Sequence, residues 1–271
     1  MSYTCKTLIT TDNEVASREK RLSICLGADG FSFSEVTTTG ALLTFGEVEG
    51  AHANSMTEAM TAIKTLFSSI GIRPFGYAST ELIVLSDESV WVPDELFTAT
   101  ATRKYLRLVG GEPTTVMTCH FKPLASTAVF SADELVATAF KVAMPGLMVI
   151  NQHVKMAQLA PRCAGRSVLL THWRKGRVDV AVFDGTRYLC GNTLCFRSDN
   201  EAVYHIVDVM KSFGLENGRT ELLMCGDVSR ERYAQARPYF PQVSLFNGTV
   251  SQFSNPEFGQ LHTYRHALIL M

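Results

Sequence analysis

Short apolar runs and longer amphipathic stretches alternate along the chain, and the same order occurs twice. In the first half, residues 24–27, 31–36 and 41–48 read as three short strands, with turns at Ala28-Asp29-Gly30 and Thr39-Gly40. Residues 56–70 then carry Met56, Ala59, Met60, Ile63, Leu66, Phe67 and Ile70 at helical spacing. Asn54 or Ser55 is the expected cap of that helix and Gly71 its stop. "TELIVLSD" (80–87) has the short apolar core of a buried strand. "VPDELFTATATRKYLRLVGG" (92–111) reads as a helix, with Pro93 near its start and Gly110-Gly111 beyond its end.

The second half repeats this. Residues 167–173, 177–183 and 187–196 read as three strands, turned at "RKG" and at Asp184-Gly185. Asp199 or Asn200 is placed to cap a helix to about residue 213, with Ala202, Ile206, Val209, Met210 and Phe213 on one side. "TELLMCGD" (220–227) echoes "TELIVLSD", Ser229 can cap "RERYAQARPYF", and "VSLF" is a last strand. Between the copies, 115–121 and 127–130 read as strands, and a helix capped by Ser131 follows. After these come an apolar run (147–150) and a helix near 153–159. "QLHTYRHALILM" (260–271) reads as a closing helix.

A period this long means domain duplication, not a solenoid. A three-strand meander followed by alternating helices and strands predicts an α/β fold, a mixed sheet with helices on both faces, in each of two lobes. Pro161 and Gly165 mark the expected boundary, giving lobes 1–162 and 163–271 with an inserted segment at about 114–161 in the first.

Composition adds exclusions. The 271 residues are 46% hydrophobic and 19% charged, with a net charge of −1 and no long run of either sign, so no nucleic-acid footprint is expected. No stretch approaches the roughly 20 apolar residues of a membrane helix, and the first residues lack the apolar core of a signal peptide. The seven cysteines are scattered, mostly within apolar runs, and lack zinc-site spacing. A cytoplasmic protein without disulfides is expected.

The duplicated meander with its α/β units resembles the actin-like ATPases, a duplicated ribonuclease H-like fold shared by actin, hexokinase and the DnaK-type chaperones. More narrowly, "DGFSFS" (29–34), "VPDELF" (92–97) and "VAVFDGTRYL" (180–189) resemble an uncharacterised Bacteroidetes family, domain of unknown function 3822. The nearest functional analogue is the pilus and secretion scaffold branch typified by PilM. That resemblance implies two phosphate hairpins, each opened by an aspartate that positions Mg²⁺ and a glycine that lets phosphate approach the backbone. It also implies a strand ending in a glycine pair at the adenosine.

Residue by residue, this chain departs from that pattern. In "CLGADGFSFSEV", Gly27 falls on the glycine but Cys25 on the aspartate, and a thiol is a poor Mg²⁺ ligand. Asp29 lies at the hairpin tip, where Asp29-Gly30 also reads simply as a type I′ turn. In the second hairpin Thr171 falls on the aspartate and Trp173 on the glycine, while Arg174, Lys175 and Arg177 offer an anion site or a solvated tip. "LLMCGD" supplies Gly226, with Asp227 for the second glycine. The expected nucleotide contacts are therefore Gly27, Asp29, Gly30, Arg174, Lys175, Gly226 and Asp227, in a degenerate site with no metal. ATP and Mg²⁺ are disfavoured as cofactors. Nothing like H-E-x-x-H accompanies His262 and His266, four apart in the closing helix, and Cys225 offers a nucleophile without a family signature. Trp91, Phe97, Trp173 and Tyr188 offer a partner surface or core. The reading is a non-catalytic actin-like scaffold or adaptor, a pseudo-ATPase with a protein partner. The alternative is a weak ATP-binding or ATP-hydrolysing protein using Asp29, Asp227 and the cations at 174–177.

Overall fold

Alternation of β-branched and aromatic residues with small polar ones makes four antiparallel strands: β1 (Thr4–Thr10), β2 (Lys20–Gly27), β3 (Gly30–Thr37) and β4 (Ala41–Glu49). The computed structural model describes residues 3–11, 15–27, 30–50, 55–110, 115–216 and 218–271. Helix α1 (Met56–Ser69) follows, with the Glu58 amide donating to Ser55 Oγ at 3.3 Å, so Ser55 is its cap. Asn54 lies outside the described residues. β5 (Ser79–Val84) runs parallel to β2.

The chain then leaves this sheet. β6 (Ser89–Pro93), α2 (Thr102–Arg107), β7 (Val116–Phe121) and β8 (Ser126–Ser131) form a small layer with sheet order β6-β8-β7 over Val92, Leu106 and Val129. The single helix expected from Pro93 onward does not form. Pro93 ends a strand, two 3₁₀ turns (Asp94–Leu96 and Ala99–Ala101) follow, and α2 has six residues. Threonines at 98, 100 and 102 are stiff at χ1 and weak helix formers. The Tyr105 hydroxyl fixes the irregular stretch: it donates to Leu96 O at 2.6 Å and accepts from the Thr98 amide at 3.0 Å.

α3 (Glu134–Ala143) is capped by Asp133, whose carboxylate accepts from the Val136 amide at 3.2 Å; the expected cap, Ser131, ends β8 instead. β9 (Met148–Asn151) returns to the first sheet, parallel to β5. Its order is β1-β4-β3-β2-β5-β9. Phe31 meets Phe67 of α1 and Phe140 of α3 edge-on, at 6.1 and 5.2 Å.

α4 (Gln152–Ala157) is buried at every residue and packs on the next sheet. That sheet comprises β10 (Ser167–Arg174), β11 (Arg177–Asp184), β12 (Arg187–Cys195), β13 (Thr220–Gly226) and β14 (Gln242–Leu245), in order β12-β11-β10-β13-β14. This is the order β4-β3-β2-β5-β9 over again, an antiparallel meander extended by two parallel strands. α5 (Asp199–Ser212) and α6 (Arg230–Ala236) cover one face with a core of Leu169, Trp173, Val178, Val180, Leu222 and Met224. The cap of α5 is Ser198, one residue before the expected pair, and Ser229 caps α6 as expected.

The chain forms two compact units. One comprises Met1–Asn151, Thr249–Leu261 and Leu268–Leu270, the other Gln152–Gly248, His262–Ala267 and Met271. The division falls at Asn151 and not at 162, because α4 packs against β11 and β12. Thr249–Leu261 and Leu268–Leu270 rejoin the first unit. β15 (Gln252–Phe253) pairs with β4 at Ala41 and Leu42, and Ser34 Oγ donates to Ile269 O at 2.6 Å. The expected closing helix is instead a 3₁₀ turn (Thr263–His266) and a buried Leu268–Leu270, whose Leu270 carbonyl accepts from the Thr249 and Val250 amides. No described helix is long and apolar enough to cross a membrane.

Candidate functional site

The second hairpin, β10–β11, carries the densest polar chemistry. Thr171 is fully buried: its hydroxyl donates to Leu223 O at 3.1 Å and accepts from Trp173 Nε1 at 3.1 Å. Trp173, only 1% exposed, belongs to the α5/α6 core and not to a surface. Lys175 is exposed at the tip, whereas Arg174 is turned back onto Asp179. Arg177 donates to Gly176 O at 3.1 Å.

Asp179 alternates with Val178 and Val180, so it points to the opposite face, under α4. It is 0% exposed, and its carboxylate accepts from five donors. Arg174 Nε and Nη2 lie at 2.9 Å, His172 Nδ1 at 3.0 Å, Thr193 Oγ1 at 2.7 Å and Gln152 Nε2 at 3.1 Å. His172, Asp179 and Thr193 are cross-strand neighbours in register on β10, β11 and β12. Burial alone would push the Asp179 carboxyl up, but the His172 hydrogen bond and the Arg174 guanidinium outweigh it and hold it far below the usual range.

The Thr193 hydroxyl has one proton and gives it to Asp179. His153 Nε2, 3.0 Å from that oxygen, must therefore be the donor, leaving a bare lone pair on Nδ1. Among the described residues that atom, which is buried, has no hydrogen-bond partner. Burial pushes the imidazole down to about 4, with Asp179 acting in the opposite direction. Cys225 sits on this same network, beside His172 in register, but burial and then Asp179 raise its thiol far above the usual range. A thiol held neutral is no nucleophile. The network ties α4 to the sheet.

Gly226 ends β13 with φ +81, and a Cβ there would meet the Trp173 carbonyl oxygen at 2.3 Å. The backbone turn requires this glycine without any ligand. The Asp227 amide donates to Trp173 O at 2.8 Å, and its carboxylate holds Arg232 Nη1 at 3.0 Å.

In the first hairpin Gly27 pairs with Gly30; Asp29 lies outside the described residues. Gly30 is a strand residue, and its glycine is required by β4, since a Cβ would sit 2.0 Å from Val48 O. A Cβ on Gly27 would meet only Gly30 O at 3.7 Å, so packing among the described residues does not demand that glycine. Cys25 is partly buried on β2. Of the expected site residues, Gly27 and Gly30 belong to the first unit and Arg174, Lys175, Gly226 and Asp227 to the second, and among the described residues no group of three or more His, Cys, Asp or Glu can hold a metal. Among the described residues the seven cysteines form no disulfide.

Sequence reading passed over Asp179, Gln152, Thr193 and Arg232. One signal was available: a lone acid inside the apolar run "RVDVAVF" is costly to bury without partners.

No curated protein matches the chain. A family model described as "Protein of unknown function (DUF3822)" matches residues 10–243. Among solved structures, a protein with actin-like ATPase fold and unknown function from Bacteroides thetaiotaomicron superposes with a TM-score of 0.69 at 20% identity, over 87% of this chain and 93% of that one. PilM, from the PilM–PilN type IV pilus biogenesis complex, gives 0.52 at 11%, over 93% and 97%. The ethanolamine utilization protein EutJ from Carboxydothermus hydrogenoformans gives 0.51 at 10%, over 97% and 93%. At these identities the likeness is one of fold, and the fold is that of the actin-like ATPases.

Proposed function

We propose, for a chain that belongs to the DUF3822 family and has the actin-like ATPase fold, a non-catalytic role as a scaffold or adaptor in the cytosol, with nucleotide hydrolysis lost. One observation carries this reading. At the second hairpin, where a phosphate site needs a carboxylate and an open backbone, Thr171 is buried in hydrogen bonds and Trp173 fills the core. A hard cation needs oxygen ligands, and a buried hydroxyl bonded to Leu223 O and to Trp173 is not placed to serve. Arg174, at the turn, is matched by Asp179 through both of its forked donors, and Arg177 Nη1 donates to Gly176 O. The PilM neighbour occurs in a complex with PilN, and we take a protein as the partner class for the present chain by analogy of fold.

Melting with and without Mg-ATP tests this. A ligand at 100 times its dissociation constant adds about 2.7 kcal/mol. No shift at millimolar Mg-ATP is expected. A clear shift would replace this reading with that of a weak ATP-binding protein.

A further inference from the structure

Open α/β sheets take ligands at the C-terminal ends of their parallel strands. In the second unit, parallel β10 and β13 end side by side at Trp173 and Gly226. That edge is filled by a side chain of the same chain. The Arg232 guanidinium carbon lies 5.5 Å from the Trp173 ring centroid and 5.7 Å from that of Phe196. The two rings are inclined at 63°, so they form a corner into which a planar cation sets. The outer edge of the guanidinium is held by carboxylates. Nε donates to Asp199 Oδ1 at 2.9 Å, and Nη1 donates to Asp227 Oδ2 at 3.0 Å and to the Asp227 carbonyl. Burial works against this charge, but Asp199 and Asp227 outweigh it and raise the pKa of Arg232.

The partners come from the end of β10, the residue after β12, the start of α5 and the turn after β13. Capping does not explain them, because Ser229 already caps α6. Two aromatic faces, two carboxylates and a carbonyl are the equipment of a recognition site for a flat, delocalised cation.

We propose that Trp173, Phe196, Asp199 and Asp227 form a binding site for guanidinium-type cations, and that Arg232 fills it as an intramolecular ligand. The β13–α6 turn is thereby kept in its ordered form with no diffusible molecule. This rests on the non-hydrolysing reading only in that the same strand edge is not a nucleotide site. Removing the arginine side chain vacates the corner but leaves its walls, and free guanidinium is the smallest ion that matches them.

The experiment is chemical rescue. Arg232→Ala should melt below the wild type. Millimolar guanidinium chloride, far below denaturing levels, should raise its melting temperature saturably, while sodium chloride at equal concentration should not. The wild type, with the corner filled, should not respond, and Asp199→Asn in the Arg232→Ala background should weaken the rescue. A response no larger than that to sodium chloride, or an equal response in the wild type, overturns the proposal. Arg232→Gln carries the same readout if the alanine variant does not fold. A Mg-ATP shift in the wild type would sink the non-hydrolysing reading while leaving the guanidinium result to stand or fall alone.

Discussion

Arg174 and Asp179 face each other across the β10–β11 hairpin through two hydrogen bonds of 2.9 Å, one to each carboxylate oxygen. Asp179 is fully buried and Arg174 mostly so, which makes the pair expensive to break.

Arg174→Ala strands a buried carboxylate and should destabilise the protein by about 3 kcal/mol or more. The double variant Arg174→Met with Asp179→Leu should not restore stability, because His172, Thr193 and Gln152 lose their shared acceptor. Urea unfolding midpoints compare them; a double variant as stable as the wild type would show that those three bonds contribute little.

His153 should make stability depend on pH in mild acid. Its imidazole stands near 6.5 unfolded and about 4 folded. Between those values the unfolded chain holds the proton and the folded one does not, so stability rises with pH through this window. It is complete above about 6.5 and falls by up to about 3 kcal/mol towards pH 4. His153→Gln should flatten that slope in denaturation curves taken at pH 7, 6 and 5. Asp179, depressed from 3.8, adds its own loss only at lower pH.

Two glycines should respond oppositely to alanine. Gly226→Ala combines positive φ with a clash against the Trp173 carbonyl and should cost more than about 1 kcal/mol. Gly27→Ala meets only ordinary contact and should shift the melting temperature little. Equal losses at both would contradict the geometry.

Thiol labelling should be graded. Cys195 is exposed and should react first with a disulfide reagent; Cys163 and Cys225 are buried with raised pKa and should react only on unfolding. Fast native labelling of Cys225 would show that the network beneath α4 opens.

The repeat was legible because it is written in apolar spacing, which sheet burial dictates directly. "TELIVLSD" and "TELLMCGD" became β5 and β13, each parallel to the first strand of its meander. What misled were segments whose shape is set by distant contacts. The stretch 94–101 is shaped in part by the Tyr105 hydroxyl, and 268–270 uses its carbonyls on Ser34, Thr249 and Val250. Trp173 adjoins a turn and was open to either a surface or a core reading; strand alternation carries it into the core. The lone pair on His153 Nδ1 could not be read from sequence, since it follows from which way one threonine proton points.

The return of residues 249–261 and 268–270 to the first sheet has a consequence for biosynthesis. Chains are made from the N-terminus, and domains usually mature in that order. Here the Ala41–Leu42 edge of β4 and the Ser34 hydroxyl wait for partners encoded after the whole of 152–248. The half that leaves the ribosome first is therefore not complete until residues 249–261 and 268–270 have been made.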